Sequence, residues 1–303
     1  MRHNRQPEFV LLSSPDWTDY ELRDSGAGKK LERFGPYHFV RPEPQAIWQP
    51  NLPRREWDKA EAAFRTDADA DGGRWFFHKP IDERWIMRYK GINFWVQPTP
   101  FRHLGVFPEQ ANHWDWMHTL IQAEQRPVKV LNLFGYTGLA SLIAAHAGAS
   151  VTHVDASKKG IAWARENQSL SKLDAAPIRW ILDDALKFVR REVRRGAQYD
   201  GIVVDPPPFG RGPKGEIWRL EESLPELLGE CRKLLSPSPL FVVLTAYAIK
   251  ISALGIYYAL DDMLQGYGGE MVGGEMVTVE QSGGRYLSTA VFARWSASKT
   301  DGV

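Results

Sequence analysis

The chain has 303 residues, of which 43% are hydrophobic and 25% are charged, with 38 basic and 37 acidic side chains. The length suggests about two domains, and the composition is typical of a globular protein rather than a disordered or fibrous chain. A net charge of +1 excludes a strongly basic body that would hold nucleic acid by bulk electrostatics, so any RNA contact must be local. The single cysteine, Cys231, excludes an intramolecular disulfide framework.

The N-terminal segment has no pattern of a targeting or membrane sequence. Its apolar run, residues 9–12, is shorter than a signal-peptide core of about 7–15 residues and far below the ~20 residues of a spanning helix. The sequence therefore predicts a cytoplasmic protein without a membrane partner, and it leaves the oligomeric state open.

Residues 16–100 predict short antiparallel strands, because apolar and polar residues alternate in bursts separated by Gly and Pro. Between these bursts, the pattern predicts a helix over 54–65 and an exposed acidic loop over 66–73. The loop's alternating aspartates are similar to a calcium loop, but the glutamate of the twelfth position is absent, which favours a solvated turn. Eight tryptophans precede residue 117, and a sheet-rich core explains them better than stacking platforms for bases.

From residue 127, strands alternate with helices, which predicts a parallel, doubly wound α/β sheet. The predicted strands are 128–134, 150–154, 178–182, 199–204 and 240–244, and the predicted helices are 139–147, 158–172, 185–195 and 220–235. Segments 275–281 and 286–294 predict a hairpin that ends the sheet with an antiparallel pair. We predict a β-rich N-terminal domain over 1–110 that is a candidate for substrate binding, a ligand-binding domain over 111–295 and a flexible tail over 296–303.

Ligands of open α/β sheets bind beyond the carboxyl ends of the strands, and the first of these ends carries a glycine turn. Gly135 and Gly138, in Phe134-Gly-Tyr-Thr-Gly138, allow the backbone to pass close under a ligand and free the following helix N-terminus. The turn lacks the Gly-x-Gly-x-x-Gly of a pyrophosphate site. It therefore favours a nucleoside without phosphates, such as S-adenosylmethionine.

Carboxylates follow the second and third strands. Asp155 comes twenty residues after Gly135, where a nucleotide-binding protein places a carboxylate for the ribose hydroxyls, and this spacing fits a dinucleotide equally well. Asp183 and Asp184 lie where a carboxylate can accept a hydrogen bond from an adenine amino group. N-capping of the next helix is the alternative; the two roles can coexist, and we favour Asp184 for adenine.

The fourth strand is followed by Asp205-Pro-Pro-Pro-Phe209. Three prolines fix the backbone and remove its N–H donors, which predicts a rigid row of carbonyl acceptors beside a carboxylate and an aromatic ring. Such a corner suits a planar amine, whose N–H groups point at the oxygens while the ring stacks on its face. The predicted catalytic residues, which act by positioning, are Asp205, Pro206, Pro207 and Phe209.

The motifs LNLFGYTG, HVDAS, LDDA and VVDPPPF, in this order, resemble those of the class I S-adenosylmethionine-dependent methyltransferases over about residues 128–295. The stretches DYELRDSGAGKKLERFG, RPEPQAIW and HLGVFPEQ resemble the bacterial family related to the ribosomal RNA large-subunit methyltransferases. This resemblance implies a Rossmann-like, seven-stranded sheet with its last strand antiparallel, S-adenosylmethionine as cofactor, and ribosomal or other structured RNA as substrate.

The resemblance also implies residue roles. It places Phe134, Gly135 and Gly138 at the methionine part of the cofactor, Asp155 at the ribose and Asp184 at the adenine. Asp205 and Pro206 border the methyl group, and residues 105–107 close over the cofactor. The complete predicted cofactor-binding set is Gly105, Phe107, Phe134, Gly135, Tyr136, Thr137, Gly138, Asp155, Ala156, Asp183, Asp184 and Asp205. No metal site is predicted.

One departure from the family bears on the reaction. Relatives that methylate cytosine C5 carry a nucleophilic cysteine after the fifth strand, whereas residues 244–250 hold none and Cys231 falls in the preceding helix. This favours a base amine, such as guanine N2, as acceptor. The same chemistry on a small-molecule or protein amine is one alternative, and a nicotinamide-dependent oxidoreductase is another. Tyr247 either lines the acceptor pocket or fills the sheet edge.

Two segments carry basic residues beside these motifs. The helix over 185–195 has five cations on one face, which either track RNA phosphates or form a solvated helix surface. They are Lys187, Arg190, Arg191, Arg194 and Arg195. After Phe209, Arg211 and Lys214 among Gly and Pro predict a mobile loop beside the acceptor.

Overall fold

The computed structural model describes residues 7–66, 72–247 and 251–297. They fall into two units, which we describe separately. The larger unit holds 7–12, 112–247, 251–276 and 289–297, and the smaller holds 13–66, 72–111 and 277–288. The predicted boundary at residue 110 differs from this division, because residues 7–12 belong to the larger unit and residues 277–288 to the smaller. The roles predicted for the two domains stay predictions. Asp67, Asp69 and Asp71 of the acidic loop, and most of the predicted tail, lie outside the described residues.

The smaller unit consists mainly of strands, as its alternating sequence predicts. Strand β1 (Phe9–Ser13) leads into it. Its own strands are β2 (Tyr20–Gly26), β3 (Lys29–Phe34), β4 (Tyr37–Pro42), β5 (Ala62–Thr66), β6 (Gly73–Phe77), β7 (Trp85–Tyr89) and β8 (Ile92–Val96). Strands β2 to β6 form one sheet in this order, with only the β4–β5 pair parallel among its described strands, and β7 and β8 form a hairpin.

The prediction of a helix over 54–65 is wrong beyond its first turn. Helix α1 spans only Arg54–Trp57, and the chain enters β5 at Ala62. Ala62 and Phe64 pair with Phe77 and Trp75 across β5–β6, with Ala62 and Phe64 buried in the core. Tertiary packing of this hairpin therefore overrides the local helical pattern.

Three of the six tryptophans of the smaller unit are buried, as core packing predicts, and the other three, Trp48, Trp75 and Trp95, are half-buried. Trp17, Trp57 and Trp85 are each less than a tenth exposed. The Trp17 ring lies 4.8 Å from that of Tyr89 in an edge arrangement, as expected for aromatic packing in a small sheet core.

The larger unit alternates strands and helices in the predicted order. A turn of 3-10 helix (Pro108–Gln110) precedes it. Its elements are α2 (Ala111–Ala123), β9 (Lys129–Leu133), α3 (Leu139–His146), β10 (Ser150–Asp155), α4 (Lys158–Leu170), β11 (Ile178–Leu182), α5 (Ala185–Arg194), β12 (Gly201–Val204), β13 (Phe209–Arg211), β14 (Ile217–Arg219), α6 (Leu220–Arg232), β15 (Phe241–Ala246), α7 (Ala253–Met263), β16 (Glu270–Val279) and β17 (Tyr286–Ser296).

The main sheet has the order β1-β16-β17-β15-β12-β9-β10-β11. Strands β15, β12, β9, β10 and β11 are parallel, and β17 runs antiparallel to β15, with Phe241 opposite Ser296. This confirms the α/β class and the antiparallel last strand. The sheet gains an eighth strand that the sequence did not predict, because the short run in β1 pairs with β16 at the edge. Strand order reverses at β9, which is the point where ligands of such sheets bind.

The core of the larger unit lies between the sheet and its helices. Phe188 of α5, Ile202 of β12 and Leu227 of α6 are fully buried in it. Cys231 of α6 is also fully buried there, and burial raises the pKa of its thiol. Across the described ranges, no helix has the length and apolarity needed to cross a membrane.

Candidate functional site

The site residues predicted in the larger unit gather along one edge of the main sheet. They follow β9, β10, β11 and β12, which are neighbours in the sheet, at the carboxyl end of each strand. Parallel strands end on the same side of a sheet. The glycine turn 134–138, the aspartates Asp155, Asp183 and Asp184, and the segment 205–209, which we call the proline corner, therefore share this edge. Gly105 and Phe107 belong to the smaller unit, where the Gly105 amide donates to His103 Nδ1 at 3.3 Å and the Phe107 ring lies 5.4 Å from that of His103.

Gly135 is required by a buried polar cluster beneath the turn. A Cβ at this position would lie 2.4 Å from His153 Cε1 and 2.8 Å from Asn132 Nδ2. Asn132 donates to Ser141 Oγ at 2.9 Å, and Ser141 Oγ lies 3.0 Å from His153 Nδ1. Burial lowers the pKa of His153 to about 3, so this ring is neutral at physiological pH. Sequence reasoning missed this cluster, although a lone asparagine in an apolar strand is its signal.

The turn itself has an unusual backbone. Phe134 and Tyr136 have φ of 59° and 46°, in the left-handed region that side chains rarely adopt. Gly138 has φ 86° and is the N-cap of α3, so no side chain of the cap residue satisfies the first N–H groups of the helix. Asn167 of α4 donates to the Thr137 carbonyl at 3.0 Å and holds the turn in place. Backbone strain maintained in this way is typical of ligand sites.

Asp155 forms hydrogen bonds to two segments, the glycine turn after β9 and the turn that precedes α4. Its carboxylate accepts the Tyr136 amide at 2.9 Å and the Ser157 amide at 2.7 Å. Burial raises the pKa of Asp155, while the two amide hydrogen bonds oppose that rise. Burial, together with the nearby Asp155, raises the pKa of Tyr136 to about 12. Ala156 lies between the two turns, half-buried.

The two aspartates after β11 have different partners. Asp184 accepts the Lys187 amide at 2.9 Å, so it is the N-cap of α5 that the sequence offered as the alternative role. Asp183 accepts the Asp184 amide at 2.9 Å and pairs with Arg191 at 2.6 Å. Adenine binding by Asp184 is compatible with its cap role and stays a prediction.

The proline corner differs from the predicted row of carbonyl acceptors. The Pro207 carbonyl accepts the indole N–H of Trp218 at 2.8 Å, and the Pro208 carbonyl accepts the Leu220 amide at 3.0 Å. Pro206 is buried and Asp205 half-buried at the end of β12, whereas Phe209 is 53% exposed. The prolines therefore serve two purposes: Pro207 and Pro208 fasten the chain that follows, and Pro206 stays beside Asp205.

Trp218 is a further residue of this site that the sequence did not predict. It is 4% exposed, and its ring lies 4.9 Å from that of Phe134 in the glycine turn. Together with its hydrogen bond to Pro207, this contact joins the proline corner to the glycine turn. Residues 209–219 form the hairpin β13–β14, so the predicted loop is the turn 212–216 flanked by two short strands that the sequence did not predict; its mobility stays a prediction.

Most of the basic side chains on α5 and at its C-cap form ion pairs with carboxylates. Lys187 pairs with Glu216 at 2.5 Å, Arg195 with Glu192 at 2.8 Å, and Arg190 with Glu226. With the Arg191–Asp183 pair, four of the five predicted cations have such partners. This arrangement favours the solvated helix surface over phosphate tracking. Tyr247 packs in a cluster with Leu12, Met276 and Phe292, which favours the sheet edge over the acceptor pocket.

The strand order, the glycine turn and the carboxylate at the end of β10 define a nucleoside-binding α/β domain. Residues 59–242 match the model of the family "S-adenosylmethionine-dependent methyltransferase". The chain belongs to this family. It is therefore an S-adenosylmethionine-dependent methyltransferase, which decides against the nicotinamide-dependent oxidoreductase.

Individual relatives support the same assignment. A crystal structure of a SAM-dependent methyltransferase from Agrobacterium tumefaciens is 49% identical, has a TM-score of 0.91 and covers 97% of both chains. A ribosomal RNA large subunit methyltransferase K/L from Shewanella sp. strain ANA-3 is 35% identical over 53% of this chain and 23% of its own length. The corresponding Hahella chejuensis protein is 29% identical over 57% of this chain and 25% of its own length. The match thus spans about a quarter of these curated relatives.

The residues at the sheet edge fit S-adenosylmethionine. Helix α3 begins at a glycine N-cap without a side-chain hydrogen bond, which leaves its first N–H groups available to a ligand. The carboxylate of Asp155 is fixed by two amides and can accept further hydrogen bonds from ribose hydroxyls. No residue of the turn supplies the third glycine that a pyrophosphate would require.

Proposed function

We propose that this methyltransferase acts on an amine nitrogen of a base in ribosomal or other structured RNA. The observation that carries the proposal is the corner at the end of β12, where Asp205 stands beside the buried Pro206 and the exposed ring of Phe209. A carboxylate, a carbonyl and an aromatic face are the groups that hold a planar amine.

In this mechanism the chain acts by positioning. Asp205 and the Pro206 carbonyl accept hydrogen bonds from the amine N–H groups, and Phe209 stacks on the base. These contacts aim the nitrogen, whose lone pair is delocalised into the ring, at the electrophile. When bound, S-adenosylmethionine supplies the methyl group. Asp205 would lie beside the reacting nitrogen, where its carboxylate stabilises the positive charge that develops as the N–C bond forms and the S–C bond breaks. The proton released by the nitrogen would pass to Asp205 or to water, and S-adenosylhomocysteine would leave.

The sulfur chemistry of the chain supports an amine over cytosine C5. Cys231 is the only cysteine, and its side chain on α6 is fully buried in the core, where burial raises the pKa of the thiol. A buried thiol that resists ionisation is unsuited to attack on C6 of a pyrimidine. An acceptor that is itself the nucleophile needs no such thiol.

RNA is supported as the substrate by the relatives rather than by the charge of the chain. Those from Shewanella and Hahella chejuensis are named ribosomal RNA large subunit methyltransferases. A target base within structured RNA would have to leave its stack to reach the corner, as in other enzymes that act on bases.

The proposal is tested by mass spectrometry of ribosomal RNA nucleosides from cells with and without this gene, followed by assays of the purified chain on the unmodified RNA. Asp205→Asn is expected to lower kcat about 100-fold or more, because the lost carboxylate no longer orients and stabilises the amine. Its affinity for S-adenosylhomocysteine should change far less than kcat. Asp262→Asn, an exposed position on α7, is the matched control and should leave kcat unchanged.

Each outcome has a defined meaning. An N-methylated nucleoside that disappears with the gene supports the proposal. Methyl transfer that appears only in protein or small-molecule fractions moves the acceptor to that class. A methylated carbon in place of nitrogen, or an Asp205→Asn variant with wild-type kcat, contradicts the amine mechanism.

A further inference from the structure

The hairpin β13–β14 directly follows the acceptor corner and has two different faces. Its register places Phe209 opposite Arg219, Gly210 opposite Trp218 and Arg211 opposite Ile217. Residues opposite each other in an antiparallel pair point to the same side, and successive residues alternate. Gly210 and Trp218 therefore share one side. The other side, which we call the outer hairpin face, consists of Phe209, Arg211, Ile217 and Arg219.

The side that carries Trp218 anchors the hairpin. Trp218 is buried, donates to the Pro207 carbonyl and packs on Phe134. The Leu220 amide adds a hydrogen bond to the Pro208 carbonyl at the base of the hairpin. The outer hairpin face is thus held at a fixed place relative to Asp205 and Pro206.

The tip of the hairpin is fixed as well. Glu216 accepts the Lys214 amide at 2.8 Å and pairs with Lys187 of α5 at 2.5 Å. The hydrogen bond from Lys187 is the main reason that the pKa of Glu216 falls to about 2. A Cβ at Gly212 would lie 2.3 Å from Glu216 Oε2, so the glycine lets this carboxylate fold back over the turn.

The outer hairpin face combines aromatic, aliphatic and cationic groups in contact with solvent. Phe209 is 53% and Ile217 59% exposed, and both arginines are exposed. The Arg211 guanidinium lies 6.0 Å from the centre of the Phe209 ring. Arg219 pairs with Glu222 at 3.1 Å, an exposed ion pair of the kind that contributes little and exchanges readily for another anion. Large apolar side chains kept in water on an ordered hairpin indicate a binding surface.

We propose that the outer hairpin face binds the RNA strand next to the target nucleotide. The face adjoins the corner through Phe209, so the segment that it contacts is the one that flanks the base held by Asp205. Phe209 stacks on the target base in the proposed mechanism, so the flanking strand falls to the rest of the face: the two guanidinium groups suit its phosphates, and the exposed Ile217 side chain suits the face of an unpaired base. The inference rests on the proposed function and names how its substrate is held.

The test measures binding of a fluorescein-labelled, mixed-sequence single-stranded RNA to the full chain with S-adenosylhomocysteine, over a series of salt concentrations. Arg211→Ala combined with Arg219→Ala should reduce the slope of log affinity against log salt by about 1.4, since each lost phosphate contact removes about 0.7 on a single strand. Arg165→Ala combined with Lys233→Ala removes the same charge from exposed sites, on α4 and at the end of α6, and should leave the slope unchanged.

Phe209 tests the contact that the hairpin face shares with the proposed function, whereas the arginine pair tests the flanking strand alone. Phe209→Ala should weaken RNA binding by about tenfold, and Phe209→Trp should retain it, since a base stacks on any aromatic face. Binding of S-adenosylhomocysteine by calorimetry confirms that each variant is folded. Arg211→Gln with Arg219→Gln, which changes side-chain volume less, repeats the charge test if the alanine pair does not fold.

The outcomes separate the two proposals. If the wild-type chain methylates RNA and the arginine pair keeps the wild-type salt slope, the hairpin inference is overturned while the proposed function stands. If the wild-type chain methylates no RNA but transfers methyl groups to protein or small molecules, the proposed function fails and the inference fails with it. A reduced slope confined to the Arg211 and Arg219 variants supports the inference.

Discussion

Two separate features require glycine at position 135: the predicted approach of a ligand on one side of the turn, and the buried side chains on the other. The spacing of the glycines predicts close approach to a ligand, and the structure adds the crowding of His153 and Asn132 beneath. The sequence shows where the glycine stands but not which atoms press against it, because His153 comes from the neighbouring strand β10. The ligand-side role stays a prediction, whereas the interior contact is a property of the fold.

We expect Gly135→Ala to lower the free energy of unfolding by about 1–3 kcal/mol, because the added methyl group forces the buried ring or the turn to move. Displacement of the turn should also weaken binding of S-adenosylhomocysteine. Urea unfolding and calorimetry measure the two effects. Gly229→Ala is the control: a Cβ there meets no atom within 4 Å, so the helix α6 should gain up to about 1 kcal/mol. Equal behaviour of the two variants would contradict this account.

Among the elements, those with long, periodic patterns were predicted well, and those fixed by distant partners were not. The helix predicted over 158–172 is α4, Lys158–Leu170, and the strand predicted over 178–182 is β11 with the same bounds. Strand β1 and the hairpin β13–β14 were not predicted, because each is short and depends on distant contacts. Strand β1 pairs with β16, and the hairpin is anchored by the hydrogen bond from Trp218 to Pro207. Helix α7 was also missed, since no prediction was made for that segment.

In the candidate site, the positions of the residues were predictable from the sequence, whereas their contact partners were not. The order of motifs along the chain was enough to place their residues at the ends of β9 to β12, because parallel strands align their carboxyl ends. The partners of those residues were not predictable. Asp183 forms an ion pair with Arg191, and the Pro207 carbonyl accepts a hydrogen bond from the indole N–H of Trp218, eleven residues away along the chain. Such contacts depend on how α5 and the hairpin fold back, which periodicity does not encode.

Trp218 should act as a positioning residue for the proline corner. Trp218→Phe keeps the ring on Phe134 but removes the hydrogen bond to Pro207, so we expect kcat to fall about tenfold through misplacement of the corner, with a smaller change in KM for S-adenosylmethionine. Methyl-transfer kinetics measure both.

Trp295→Phe is the matched control for this variant. Trp295 is also 4% exposed, and its indole N–H also donates to a backbone carbonyl, that of Gly268, at 2.8 Å. Both variants should lose about 1 kcal/mol of stability for the lost hydrogen bond. Only Trp218→Phe should lose kcat; equal kcat losses in the two variants would mean that stability, and not positioning, explains the effect.

At the scale of the described chain, each unit contains a histidine whose pKa is lowered by burial. In the smaller unit, burial, followed by the nearby Arg41 and Arg102, lowers the pKa of His103 to about 4. In the larger unit, burial alone lowers the pKa of His153 to about 3. An unfolded histidine titrates near pH 6.5. Between these values the unfolded chain binds more protons than the folded chain, so acid should favour unfolding.

The whole chain should therefore be most stable above about pH 6.5 and lose stability as the pH falls toward the folded pKa values, with each such histidine contributing about 1.4 kcal/mol per pH unit. His153→Asn, which retains a polar side chain beside Ser141, should make the fall between pH 6 and pH 4.5 shallower by about 1 kcal/mol per pH unit. Urea unfolding followed by circular dichroism at several pH values measures the slope. His78→Asn, at an exposed position, should leave it unchanged. Parallel slopes for wild type and His153→Asn would show that His153 does not drive the acid sensitivity.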